Sequence, residues 1–240
     1  MKWLHLVILL SFAPIYDIIR VIMILSKETP TVETVITASE EPIIPNERFR
    51  LSPAPAGLRF VQDLVNTALA DPVRHPWPDL LADLESARSW LGEALGAWSA
   101  ATGSPAPAID LDESDLAPLR DHRKLLRAAL RATPGGAAVT AAGPGASRDI
   151  AAKVLLTITA DGVVRYEPLE SGWRAVRALT SAETLVAGAA GTRPRLKACA
   201  YPPCGLCFYD SSPNRARVWH DTKTCGNVTN LRASRTRRQA

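Results

Sequence analysis

An α+β fold, mostly helical, with one β-hairpin and a small separate domain at its C-terminal end, is what this sequence predicts, and three observations predict it. Apolar residues recur at helical spacing in four segments between Leu58 and Gly188. Two β-branched runs flank an Asp-Gly pair, and all four cysteines fall between Cys199 and Cys225. A length of 240 residues admits one or two domains, and 47% apolar content is ordinary for a globular chain.

The elements follow in order. In GLRFVQDLVNTALAD, Leu58, Val61, Val65 and Ala68 share one helical face. DLESARSWLGEALGAW repeats the pattern through Leu84, Ala87, Leu91, Ala94 and Trp98. A Pro/Ala/Gly linker around Thr102 to Pro107 leads to a third helix, DESDLAPLRDHRKLLRAALRA. Its stripe is Leu116, Leu119, Leu126 and Leu130, and its early acids suit the positive end of a helix dipole. The Gly-rich TPGGAAVTAAGPGAS ends it. KVLLTITADGVVRYEP then places β-branched runs on either side of Asp161-Gly162, a hairpin turn signal. Residues Gly172 to Gly188, with Trp173, Val176, Leu179 and Leu185, read as one more helix before the cysteines. No internal repeat is present.

The two ends differ from this middle. Residues 1–45 hold nine Ile and two Ala, whereas only three Ile follow in the rest of the chain. The opening apolar stretch is interrupted by Pro14, Asp17 and Arg20, and hydrocarbon penalises the two charges by about 3 kcal/mol each. We read residues 1–47 as a leader, either a misplaced start or a signal-like segment, and expect a cytoplasmic protein without a membrane anchor unless that segment is genuine. At the other end, ten Lys and Arg stand against Asp210 and Asp221 from Gly191 onward, a net +8 within a chain of +4. The domains read as 48–192 and 193–240, and only the second is charged to meet a polyanion.

The cysteine cluster carries the chemistry. Cys199 and Cys204 are separated by four residues, fifteen follow, and His220 and Cys225 are again separated by four. Two close pairs bridged by a loop match the demand of a tetrahedral Zn2+ site, which predicts one structural zinc on Cys199, Cys204, His220 and Cys225. Pro202 and Pro203 stiffen the first turn, SSPN turns the loop, and Phe208, Tyr209 and Trp219 are expected to form an apolar floor. Such a module is too small for a core of its own, but metal ligation supplies on the order of 10 kcal/mol. Two disulfides are the alternative, and Cys207 forms a C-x-x-C step with Cys204 that could replace Cys199 as ligand; otherwise Cys207 is a small buried hydrophobe.

After the last ligand, Gly226 and Asn227 suit a turn, and VTNLRASRTRR continues as a helix with Arg232, Arg235 and Arg238 on one side. With Arg215, Arg217, Lys223 and Arg237, these residues are the expected DNA-contacting set, and Asn227 or an arginine could reach a base edge. A solvated, frayed tail is the plain alternative.

At these residues the chain resembles the CGNR zinc-finger proteins, a family of bacterial transcriptional regulators. The features are CAYPPC, Phe208-Tyr209-Asp210, NRAR, Trp219-His220 and Cys225-Gly226-Asn227. His220 stands where the family commonly has cysteine, and Val228 replaces the arginine of its signature. Upstream, LRFVQDLVNT, DLLADLESARSWL and LRDHRKLLRA look like the ABATE domain that accompanies this finger. The resemblance implies a stress-linked regulator, a possible effector for the N-terminal domain and a possible homodimer.

Two other functions are open to the sequence. A zinc-stabilised module could present Trp219 and Tyr209 to a protein partner instead of DNA. An enzyme would have to use His75, His122, Asp63 and Asn66, which no nucleophile motif, phosphate loop or open metal position accompanies. We therefore expect no catalysis.

Overall fold

The computed structural model describes residues 44–69, 77–131 and 150–239. The leader up to residue 43, His75 and the Gly-rich stretch after the third predicted helix lie outside them. All described residues belong to one compact unit.

The architecture is mostly helical, with one β-hairpin and a small C-terminal region that gathers the metal ligands. Its first helix, α1, is a single turn (Pro45–Arg48), so the described fold takes in Ile44 to Glu47, residues that composition places in the leader. The helix α2 (Leu58–Val65) lies at the centre, in contact with α1, two longer helices α3 (Leu84–Thr102) and α4 (Glu113–Arg131), and a helix α5 (Gly172–Ala189). Leu58, Phe60, Val61, Leu64 and Val65 of α2 are all buried, and Phe60 stacks on Trp90 of α3 with ring centroids 6.1 Å apart. Burying each such side chain contributes about 1.5–3 kcal/mol.

The longer helices keep the expected faces. Asp83 caps α3 by accepting the Ser86 N–H, and Gly103, at φ 71°, ends it. Ala87, Leu91, Ala94 and Trp98 are buried, as are all four leucines of the α4 stripe. Two expectations fail in detail. Leu185 of α5 is 74% exposed, because the buried face runs instead through Ala175, Val176, Ala178, Leu179 and Ala182. The helix expected to continue through Ala68 stops at Val65. There the Asn66 side chain turns away to the C-terminal region, while Arg127 donates to the carbonyls of Val65 and Ala68. Tertiary partners thus satisfy groups that a further helical turn would have used.

The hairpin pairs β1 (Val154–Ile158) with β2 (Val164–Pro168) in antiparallel register, Leu156 opposite Tyr166. Gly162, at φ 82°, makes the expected turn in a conformation that a side chain would strain. Tyr166 reaches inward, and its hydroxyl and the Trp98 indole N–H both donate to the buried Glu183 carboxylate at 2.5 Å. No helix among the described residues is long and apolar enough to cross a membrane.

Two buried groups couple this core to pH with opposite signs. Asp63 accepts the Asn46 N–H at 3.2 Å, and burial outweighs that bond and Arg59 to raise its pKa from 3.8 to about 7. A raised acid stabilises the fold fully below pH 3.8 and loses that contribution as pH rises through about 7. His122 bonds Thr180 at 2.9 Å and is lowered from 6.5 to about 4, by burial and then by Arg177. Its contribution is full above pH 6.5 and lost as pH falls through about 4. Asp63→Asn is therefore expected to stabilise the chain at pH 8 by on the order of 2 kcal/mol, and to change little at pH 4. Urea unfolding at the two pH values checks this.

Candidate metal centre

Two short strands begin the site. β3 (Leu196–Ala198) pairs antiparallel with β4 (Cys207–Tyr209), and the turn between them carries Cys199 and Cys204. The turn is closed by the Cys199 N–H to Leu206 at 2.8 Å and by the Cys204 N–H to Tyr201 at 2.9 Å. The loop that follows returns when the Ala200 N–H donates to the Val218 carbonyl at 2.8 Å, which sets His220 beside the first pair. Asp221 then caps a π-helical turn (Thr222–Gly226), accepting the Lys223 N–H at 2.7 Å, and Cys225 sits inside that turn. This turn runs without a break into the last helix, α6 (Asn227–Gln239).

The four predicted ligands converge. One ligand atom each from Cys199, Cys204, His220 and Cys225 lies within 4.8 Å of the others, and the three sulfurs are buried. His220 Nδ1 is 3.3 Å from Cys204 Sγ and 3.6 Å from Cys225 Sγ. A tetrahedral zinc with bonds of about 2.3 Å to sulfur and 2.0–2.1 Å to nitrogen sets such S···N distances at about 3.6 Å. The donor set and its spacing therefore fit this ion.

The protons of the cluster point the same way. A hydrogen bond from Cys204 lowers the Cys199 thiol to about 4, while that same bond and burial push Cys204 up. Burial, and then the Cys199 charge, raises Cys225 to about 11. Three crowded sulfurs cannot all ionise alone, and a divalent cation removes that obstacle.

All four cysteines are free, so the disulfide alternative is not realised. Cys207 is no ligand. It is 0% exposed within the main helical core, with its thiol raised to about 11 by burial, and its role is that of a small hydrophobe. The expected apolar floor is corrected as well. Tyr209 packs on the main core, Phe208 lies under the Arg217 guanidinium, and only Trp219 joins the cluster, with Tyr201, Leu206, Phe49, Leu51 and Leu69. Nor does Gly226 make a turn: a Cβ there would stand 3.1 Å from the Trp219 ring, so glycine permits that close approach within a continuous helical path.

Residues beyond the ligands hold the basic loop. Lys197 Nζ, 7% exposed, donates to the Asp210 carboxylate at 2.9 Å and to the carbonyls of Arg215 and Arg217. Arg195 donates to the carbonyls of Asp210 and Ser212 at 3.0 and 2.9 Å. Burial raises Asp210, but bonds from Ser212, Lys197 and Arg217 outweigh it and leave its pKa at about 2. Asn66 joins this region to α2: its Nδ2 donates to the Cys207 carbonyl at 2.8 Å and its Oδ1 accepts the Cys207 N–H at 2.9 Å. The amide thus imitates a neighbouring strand for β4. Asp63, Asn66 and His122, the described members of the enzyme alternative, are all held in packing hydrogen bonds of this kind.

Of the expected DNA-contacting residues, Arg215, Lys223, Asn227, Arg232, Arg235, Arg237 and Arg238 are exposed. Arg217 is not available in the same way. It is half-buried, donates to the His220 carbonyl and lies 5.2 Å from the Phe208 ring centroid. Arg232 is 5.5 Å from the Tyr201 ring, which sets the base of α6 against the metal cluster. The sequence marks Asp210 only as part of the family motif and Asn66 only as a polar group of the enzyme alternative, and does not mark Lys197; these packing roles escape it because the partners are 13, 18 and 141 residues away.

Residues 195–238 match the CGNR zinc finger family, and the chain carries a zinc finger of that type there. No curated protein matches the chain. Four protein ligands would leave a metal bound there no open position for a catalytic water.

Proposed function

We propose that the chain is a cytoplasmic DNA-binding regulator of transcription whose C-terminal domain is held by one structural Zn2+. One observation carries the reading. The helix α6 starts directly after the last ligand turn and exposes Arg232, Arg235, Arg237 and Arg238 with no acidic residue along its length. The metal that orders Cys225 therefore orders a cationic helix, and phosphate contact is the chemistry such a helix serves. Arg215 and Lys223 extend the same charge, and the exposed Asn227 amide is the group that would read a base edge. Residues 48–192 act as an ABATE-like domain that receives an effector, in keeping with the stress-linked role the resemblance implies. The protein-interaction alternative needs Tyr209 and Trp219 on the surface; both are half-buried, the first against the helical core and the second against Gly226, which leaves less of each ring to offer a partner than the exposed arginines of α6 offer a phosphate.

The test is zinc content of the full chain together with duplex DNA binding at several salt concentrations, before and after chelation. One zinc per chain is expected, with log affinity falling against log salt at a slope of about −5 for five or six phosphates. Binding should vanish on chelation. Zinc without DNA affinity would overturn the reading in favour of a protein-interaction module.

A further inference from the structure

We propose that β1 is a dimerisation strand, pairing antiparallel with β1 of a second copy about a twofold axis at Leu156. Four features of the hairpin lead there. The sheet has two strands among the described residues, and α5 packs mainly over β2, leaving β1 to overhang. Leu156 is 65% exposed and Ile158 74%, with Val164 at 58% beside them. A two-stranded sheet is marginal by itself, and a contiguous apolar patch marks an interaction surface.

The free edge has a defined parity. The Thr159 N–H donates to Val163 and the Leu169 N–H to Lys153, in the same register that sets Leu155 opposite Glu167 and Thr157 opposite Arg165. Hydrogen-bonded pairs alternate along an antiparallel ladder, so Leu155 and Thr157 face β2, and the N–H and C=O groups of Val154, Leu156 and Ile158 point away from it.

The edge also lacks the usual blocks. β1 reads VLLTI, without charge, proline or bulge, whereas β2 carries Arg165, Glu167 and Pro168. A twofold axis at Leu156 sets that residue against itself and Val154 against Ile158. All three outward-facing positions of each strand are then hydrogen-bonded, apolar meets apolar, and no like charges meet. The joined edges make one four-stranded antiparallel sheet, past the two strands that are marginal alone. A second copy satisfies this edge with its own symmetry.

The test uses the full chain without DNA, so its result is separate from that of the DNA reading. Sedimentation velocity across a concentration series is expected to show a monomer–dimer equilibrium. Leu156→Lys and Leu156→Glu should each weaken it at least 100-fold, and an equimolar mixture of the two should restore a heterodimer, because their side chains meet at the axis. Hydrogen exchange of the wild-type chain should show the Leu156 and Ile158 amides protected only as the dimer forms. A wild-type monomer at every concentration would overturn the proposal, as would a dimer indifferent to Leu156→Lys or a mixture that stays monomeric. So would protection of those amides in the monomer, which would mean that another segment of the chain covers the edge.

Discussion

Cys204→Ser is expected to cost the chain its metal and, with it, the order of α6, while the helical core stays folded. Cys204 is buried at 3% exposure, and its sulfur is the nearer of the two that contact His220 Nδ1. A serine hydroxyl keeps its proton at neutral pH and is a poor zinc ligand, so affinity should fall by at least about 100-fold. Structural zinc sites contribute apparent free energies of about 10–16 kcal/mol, and the cluster's apolar residues cannot replace that. Phe60, Trp90, Trp98 and Leu179 lie in the main core and are untouched. Zinc content after dialysis against a weak chelator, with hydrogen exchange over residues 196–239, checks both halves. Cys207→Ser is the contrasting variant. Its sulfur lies in the helical core, so zinc should be retained while a buried hydroxyl destabilises the whole fold by about 1–3 kcal/mol.

The contrast between these two cysteines shows what a sequence conveys about such a site. Cys199, Cys204, His220 and Cys225 were legible because tetrahedral ligation imposes close pairs and a return loop, a constraint on spacing alone. The α4 stripe and the Asp161-Gly162 turn were legible for a similar reason: helical periodicity and positive φ leave local marks. Cys207 was ambiguous, since a C-x-x-C step is also local, and only the β3–β4 register turns its side chain toward the helical core. The end of α2 could not be read. It depends on Asn66 reaching across to Cys207 and on Arg127 reaching back from α4, and neither partner is near in sequence. Gly226 was read as a turn because glycine favours turns, whereas here the Trp219 ring decides.

Lys197→Met should separate metal binding from phosphate binding. The ammonium uses its three N–H groups on the Asp210 carboxylate and the carbonyls of Arg215 and Arg217, so one buried cation fixes both sides of the basic loop. Methionine fills similar space but donates nothing, and it leaves the fully buried Asp210 carboxylate without a counter-charge. Breaking a buried pair in this way costs about 3–5 kcal/mol. With Lys197 present Asp210 is lowered to about 2, so its contribution is present above pH 3.8 and lost as pH falls through about 2; the variant removes one of the bonds that hold the carboxyl down and leaves burial to push it back up. None of the four ligands touches Lys197 by a hydrogen bond among the described contacts, so zinc stoichiometry should remain one per chain at neutral pH while stability and DNA affinity both fall. The double variant Lys197→Met with Asp210→Asn removes the stranded charge and should recover part of the stability but not the loop geometry, since the methionine still offers no donor to the carbonyls of Arg215 and Arg217. A double-mutant cycle by urea unfolding, with DNA titration of each variant, distinguishes the two effects. Equal loss of zinc and DNA binding in Lys197→Met would instead show that the loop and the metal cluster fold as one unit.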